Sequence, residues 1–369
     1  MKSGLNKIID ISTDGLKADK LLLLGLIAIM MISVVVDFSA LNENSSLIAA
    51  HVAKCGLGIF VFLCLSRVNV VYIKQLSLKF YAVTVLLLVI VALFGDVRMG
   101  ARRWLDLGFM SFQPSEFSKF AVIVAVSYIV SQIGLIKNLR SVGLILAIIG
   151  VPCLFILKQP DLGTCVLVAT SGVAVMFFAG LPFGYIAAAL GGLALASPVI
   201  WEFVLMPYQK QRILTVLNPM LDPRGAGYHI LQSQAAIGSG GFSGVGWLNG
   251  TQVHLGFVPE QHTDFVFAVI GEEFGFVGWL VIAALFAFLI SRMFTIMYKV
   301  DDIFAKCVIG GIATILFVYV FVNVGMVVGM LPVVGVPLPF LSCGGTATVS
   351  MCACLGIVSA YSSQILKRR

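Results

Sequence analysis

The chain has 369 residues, of which 60% are apolar and only 11% charged, with a mean hydropathy of +1.05. Soluble domains carry roughly 25% charged residues, so this composition excludes a disordered chain and a water-soluble enzyme. The 24 Lys and Arg exceed the 17 Asp and Glu, but they are scattered between apolar runs rather than gathered on one polar module, so the net +7 does not indicate nucleic acid.

About twenty residues of polar character open the chain, and a charge-free run then extends over residues 21–36 without a small-residue cleavage pattern. This predicts a retained first membrane helix. At about 20 residues per crossing, candidate spans follow at 21–40, 47–65, 80–95, 116–136, 142–157, 162–181, 183–205, 265–291, 307–331 and 346–365. The expectation is an all-α polytopic membrane protein of about ten transmembrane helices, read as a single membrane domain over residues 1–369.

Fifteen Lys and Arg, from Lys2 to Arg369, fall on one side of this layout. Seven fall on the other (Arg98, Arg102, Arg103, Lys158, Lys210, Arg212 and Arg224), and Lys54 and Lys119 lie within helices. The positive-inside tendency therefore predicts both termini in the cytoplasm. Most loops are short, but 96–115 and the 57-residue segment 207–263, between the seventh and eighth helices, are long and external. Loops beyond about 12–15 residues are usually functional. Residues 228–237 of the second are expected as a short interfacial helix. The eight cysteines show no CxxC spacing and are read as apolar packing residues.

Charges within a membrane are costly and mark candidate sites. Glu116 and Lys119 are three residues apart, hence about 60° apart on a helix and able to pair. They form either a structural ion pair or a cavity lining in which the lysine meets an anion. In GFVPEQHTDFVFAVIGEEFG (256–275), Asp264 sits at the expected first turn of the eighth helix, where a carboxylate either caps or reacts. From Asp264, Glu272 lies about 80° round the helix and Glu273 on the far side. Glu272 is thus expected beside the site and Glu273 paired elsewhere.

His254, His262 and Asp264 offer metal ligands, but at no strong motif spacing. No cofactor is assigned. The metal reading kept is a divalent cation, Mg²⁺ or Mn²⁺, between Asp264 and a phosphate-bearing substrate. The glycine cluster GSGGFSGVG (238–246) is neither a Walker loop nor a dinucleotide fingerprint, and is read as close backbone approach in a tight loop. Arg98, Arg102 and Arg103 sit outside against the positive-inside tendency, as a solvated basic loop or as partners of something acidic.

The runs GARRWLDLGFMSFQPSEFSK (100–119), KQPDLGT (158–164), NPMLDPRGAGYHILQSQAAIGSGGFSGVGWLNGTQ (218–252), PEQHTDFVFAVIGEEFG (259–275) and VGMLPVVGVPLPFLSCGG (328–345) resemble the SEDS family (shape, elongation, division and sporulation). The NGTQ and PEQHTDF wording is closer to the elongation member than to the division member.

The resemblance implies a peptidoglycan glycosyltransferase that polymerises lipid II at the outer face of the bacterial cytoplasmic (inner) membrane. It also implies a class B penicillin-binding protein as partner, with other membrane proteins of the elongation complex. It places the essential aspartate at Asp264, the Glu–Lys pair at Glu116 and Lys119, and a further aspartate at Asp161. Arg102, Arg103, Arg212, His262 and Glu272 are carried as supporting candidates. Competing classes are a lipid II transporter and a scaffold for the penicillin-binding protein. The first fits poorly with distinctive residues clustered on one face and no visible repeat. The second leaves Asp264 and the external arginines without a purpose.

Overall fold

The computed structural model describes residues 18–367 except 43, 99–100, 107–110, 135, 137, 224 and 259. Lys2, Lys7, Lys17, Lys137, Arg224, Arg368 and Arg369, which entered the charge count, lie outside the described residues.

Local signals start the first helices. Asp19 caps α1 (Lys20–Ala40), Asn44 caps α2 (Ser45–Ser66) and Asn69 caps α3 (Val70–Phe94), each side chain accepting a first-turn N–H. The 96–115 segment then folds into a small antiparallel sheet of β1 (Asp96–Arg98), β2 (Ala101–Asp106) and β3 (Ser111–Phe112). Pro114 opens α4 (Pro114–Ile133), where its missing N–H costs nothing. There follow α5 (Leu139–Lys158), α6 (Leu162–Phe178), capped by Asp161, and α7 (Phe183–Val199), which runs on into a π turn, Ile200–Val204.

The long loop is largely helical, with α8 (Pro207–Leu217), α9 (Ala226–Gly240) and α10 (Thr251–His254), and α11 (Val266–Glu273) follows it at the start of the expected eighth span. The expected helix over 228–237 is the body of α9. Three spans close the chain: α12 (Gly275–Lys299), α13 (Ile303–Val327) and α14 (Gly345–Lys367).

Among the described residues, nine helices are long and apolar enough to cross a membrane, and α6 is a shorter apolar helix. Together they account for the ten expected spans in order. Their even number brings residues 18 and 367 to the same end of the bundle. There Arg292 of α12 donates to both oxygens of Asp19 (3.2 and 2.7 Å), and Ser362 of α14 donates to the same carboxylate at 2.6 Å. The loops 95–113, 205–274 and 328–344 gather at the opposite end. The interior is formed by α4, α13 and α14, whereas none of the described side chains of α7 is buried.

The eighth span departs from expectation. It is not one helix over 265–291 but breaks at Phe274, and Gly275 takes φ +62°. The cause is tertiary. The glycine cluster threads into the break: Val245 and Gly246 donate to the carbonyls of Glu272 and Glu273 (3.0 and 3.1 Å), and Phe276 and Val277 donate to those of Gly241 and Phe242 (3.0 and 3.1 Å). These bonds satisfy the backbone groups that the break frees. A Cβ on Gly240 would lie 1.9 Å from the Gly271 oxygen, and one on Gly244 2.1 Å from the Glu273 oxygen. Close backbone approach is therefore what these glycines provide.

Candidate active site

Asp264 lies in the segment between α10 and α11, one residue before the N-cap position, which Phe265 occupies without a side-chain bond. It does not cap, contrary to the simpler expectation, because α11 begins a residue later than the apolar pattern suggested. Its segment is pinned residue by residue. Gln261 donates to the Ala40 carbonyl of α1 at 2.8 Å, and the His262 carbonyl accepts from the Cys343 N–H at 2.9 Å. Asn323 of α13 donates to the Asp264 carbonyl at 2.9 Å and to the Val336 carbonyl at 2.8 Å. The carboxylate lies against the 335 turn, where a Cβ on Gly335 would stand 3.4 Å from Asp264 Oδ2. Burial pushes the Asp264 carboxyl up to about 6, helped by the negative charges of Glu260 and Asp161.

Asp161 approaches from the start of α6. It accepts from the Thr164 N–H at 3.1 Å and from Gln113 at 3.5 Å, and Arg103 Nε stands 3.9 Å from its Oδ2. Arg103 itself donates to the carbonyls of Gln159 (3.0 Å) and Pro160, tying the β-sheet to this turn. Gly163 follows within van der Waals reach of Val334, since its Cβ would lie 3.0 Å from the Val334 oxygen. The hairpin, the QPDLGT turn, the 328–344 loop and Asp264 thus meet at one place.

One polar face of α13 joins this place to the Glu116–Lys119 pair. Lys119 donates to Glu116 Oε1 at 2.6 Å, Tyr319 donates to Glu116 Oε2 at 2.9 Å, and Lys119 Nζ also contacts the Tyr319 hydroxyl. All three are buried. Tyr319 is one turn before Asn323 on α13, so the pair lies about 6 Å deeper along the helix. The geometry is that of a sealed ion pair, with each charged end met by protein.

The other candidates separate. Arg102 is exposed and donates to the Leu93 carbonyl at the end of α3 at 3.3 Å. Arg212 sits exposed on α8, its guanidinium 5.9 Å from the Tyr208 ring, and no described contact brings it to Asp264. His262 serves the site through its backbone. Arg98's side chain is not among those described.

Glu272 turns away from Asp264. It is fully buried and accepts from the N–H groups of Gln252 (2.8 Å) and Val253 (3.0 Å). It anchors α10 rather than facing a cavity, because the break at Phe274 lets the loop lie on this side of α11. Glu273 pairs elsewhere as expected, accepting from Ser39 and from the Leu248 N–H at 3.2 Å. Sequence reasoning passed over Asn323 and Tyr319. Their signal was two polar side chains four apart in a charge-free span.

The described carboxylates near Asp264 do not form a cage of their own, since the described acidic, His and Cys ligand atoms lying within 4.8 Å of one another are elsewhere. A hard cation would fit here only by combining Asp264 with oxygens of a substrate.

The FtsW/RodA/SpoVE family model, described as cell cycle protein, matches residues 16–366. The peptidoglycan glycosyltransferase MrdB of Escherichia coli (strain K12) is 43% identical over 345 residues, covering 94% of this chain and 93% of that protein. A chain from a peptidoglycan synthase complex that coordinates polymerization and crosslinking superposes with a TM-score of 0.82 at 29% identity, covering 94% of this chain and 98% of that one. The rod shape determining protein RodA of Thermus thermophilus superposes with a TM-score of 0.71 at 26% identity, covering 94% and 97%.

Proposed function

The chain belongs to the FtsW/RodA/SpoVE family and is a multi-pass membrane peptidoglycan glycosyltransferase, and from this we propose that it polymerises lipid II with Asp264 as its general base. The observation that carries the assignment is a half-buried carboxylate, held from both sides of its backbone and raised to about 6, at the end of the bundle where the motif loops converge. Such a group is largely ionised at neutral pH yet still basic enough to take a proton.

The chemistry needs one base. The acceptor sugar's 4-hydroxyl gives its proton to Asp264 as its oxygen bonds to the donor's anomeric carbon. The bond from that carbon to the diphosphate oxygen breaks, and the prenyl diphosphate leaves with the electron pair. Attack opposite an α-linked leaving group gives a β-linked product without a covalent intermediate. This differs from the paired carboxylates of retaining glycosidases.

Charge developing on the diphosphate needs stabilisation in a water-poor site, and Arg103, part-exposed beside Asp161, is the described cation best placed for it. A divalent cation, when bound, would supply the same Lewis-acid stabilisation to the leaving group. Lys119 is already committed to Glu116 and Tyr319 and is assigned to holding α4 against α13.

The loop-bearing end is assigned to the outer face of the bacterial cytoplasmic (inner) membrane, with both termini cytoplasmic. There the disaccharides are reached while the prenyl chains stay in lipid. The likeness to a chain of a peptidoglycan synthase complex supports a class B penicillin-binding protein as partner, within an elongation complex of membrane proteins. Purified protein with that partner should convert labelled lipid II to a ladder of glycan strands. Movement of lipid II across vesicles with no ladder would contradict the proposal and favour transport.

A further inference from the structure

A second cluster of reactive side chains lies outside this site, where α1, α2 and the 328–344 loop meet. Ser33 and Asp37 are four apart on α1, and His51 and Cys55 are four apart on α2, so each pair shares a helix face. The two faces meet. His51 Nε2 is 3.1 Å from Asp37 Oδ2 and 2.8 Å from Ser33 Oγ, and Cys55 Sγ is 3.6 Å from the same nitrogen. Cys343 enters from the loop, with Sγ 3.2 Å from Asp37 Oδ2.

We propose that Asp37, His51 and Cys343 form a binding site for a thiophilic divalent cation of the Zn²⁺ type. Their ligand atoms all lie within 4.8 Å of one another. Tetrahedral zinc, with bonds of about 2.0–2.3 Å, sets its ligands about 3.3–3.8 Å apart, so the observed 3.1 and 3.2 Å edges need to open by only a few tenths of an ångström. Carboxylate, imidazole and thiolate form a donor set of zinc character.

Charge permits the ion. Asp37 and His51 are 1% and 2% exposed, and the cationic Lys54 of α2 acts electrostatically on Asp37, His51 and Cys343, so a bound ion must not add net positive charge beside it. A divalent cation with one carboxylate and one thiolate is electrically neutral. Asp37 Oδ1 and His51 Nδ1 have no hydrogen-bond partner among the described residues, while Asp37 Oδ2 and His51 Nε2 are the atoms turned toward each other and, for Oδ2, toward Cys343. Cys343 is only half-buried, which gives an entry path, and Ser33 and Cys55 stand within reach of the fourth position. The Cys343 N–H bonds the His262 carbonyl, two residues before Asp264, so an ion here would fix the loop that holds the catalytic segment.

The test uses the purified full chain in detergent, loaded with ZnCl₂ or CoCl₂ and desalted. Metal content and the Co²⁺ absorption spectrum are read for wild type, C343S, H51Q and, as control, C64S at the exposed cysteine. The expected result is one metal per chain in wild type and C64S, with a thiolate-to-cobalt charge-transfer band. C343S should lose the band, and both C343S and H51Q should bind at least tenfold more weakly while eluting and melting like metal-free wild type. Equal metal content and spectra in wild type and C343S, or no retained metal in wild type, would overturn the proposal. None of these readouts involves glycan synthesis, so they stand apart from the assignment of Asp264.

Discussion

The side-chain amide of Asn323 bridges two carbonyls, donating to Asp264 at 2.9 Å and to Val336 at 2.8 Å. One residue of a membrane span thus sets the distance between the Asp264 segment and the loop beneath its carboxylate. Asn323→Ala leaves two acceptors unmet, at a cost of about 1–3 kcal/mol. The predicted outcome is a fall in kcat on lipid II of about tenfold or more, since a misplaced base loses near-attack geometry, with KM little changed. A variant with wild-type kcat would remove Asn323 from the positioning role.

Polymerisation should rise with pH and level off above about 6, where the Asp264 carboxyl becomes ionised. Below that value the group carries its proton and has no capacity to take another. Initial rates measured from about pH 5 to 8 would display the inflection. A rate that is flat through 6 would separate the base from Asp264.

The same shift has a consequence for stability. Burial raises Asp264 from its ordinary 3.8 to about 6, so the fold favours the protonated form. The associated stability is fully present below the unfolded value and is lost as pH rises through 6. Asp264→Asn keeps a neutral side chain throughout and should stabilise the protein by about 2–3 kcal/mol at pH 7, with the advantage gone near pH 4. Denaturation midpoints at the two pH values check this. No gain at pH 7 would contradict the desolvated environment inferred for the half-buried carboxylate.

Glu116 and Lys119 can be resolved by a double-mutant comparison. Removing one member of a buried pair strands the other charge, at about 3–5 kcal/mol, so Glu116→Gln and Lys119→Met should each destabilise strongly. The double variant should recover most of the stability and glycan synthesis to within about tenfold, as a structural pair requires. Recovery of stability without activity would instead make Lys119 a substrate contact.

Much of this architecture was legible in the residues. Charge-free runs and their flanking lysines and arginines marked the ten spans, although the third, expected over 80–95, begins at Val70 behind the Asn69 cap, and the glycine cluster at 238–246 announced close backbone approach. What was hidden depends on partners distant in the chain. Residues 265–291 read as one span despite Glu272, Glu273 and Gly275 around Phe274, so the helix break became visible only with the 241–246 backbone lying in it. For the same reason Glu272 was expected near Asp264, yet it serves α10. The Glu116–Lys119 spacing showed a pair but not its purpose, because the closing hydroxyl of Tyr319 comes from 200 residues away. Asn323 carried little signal alone, being a single amide in an apolar helix.

The central claim is tested most directly by Asp264→Asn in the lipid II polymerisation assay, with the partner present and the variant first shown to elute and melt as a folded protein. Loss of a positioned base typically costs about 10²–10⁴-fold, so the glycan ladder should disappear while lipid II binding persists. A ladder made by the folded variant at near wild-type rate would contradict the account.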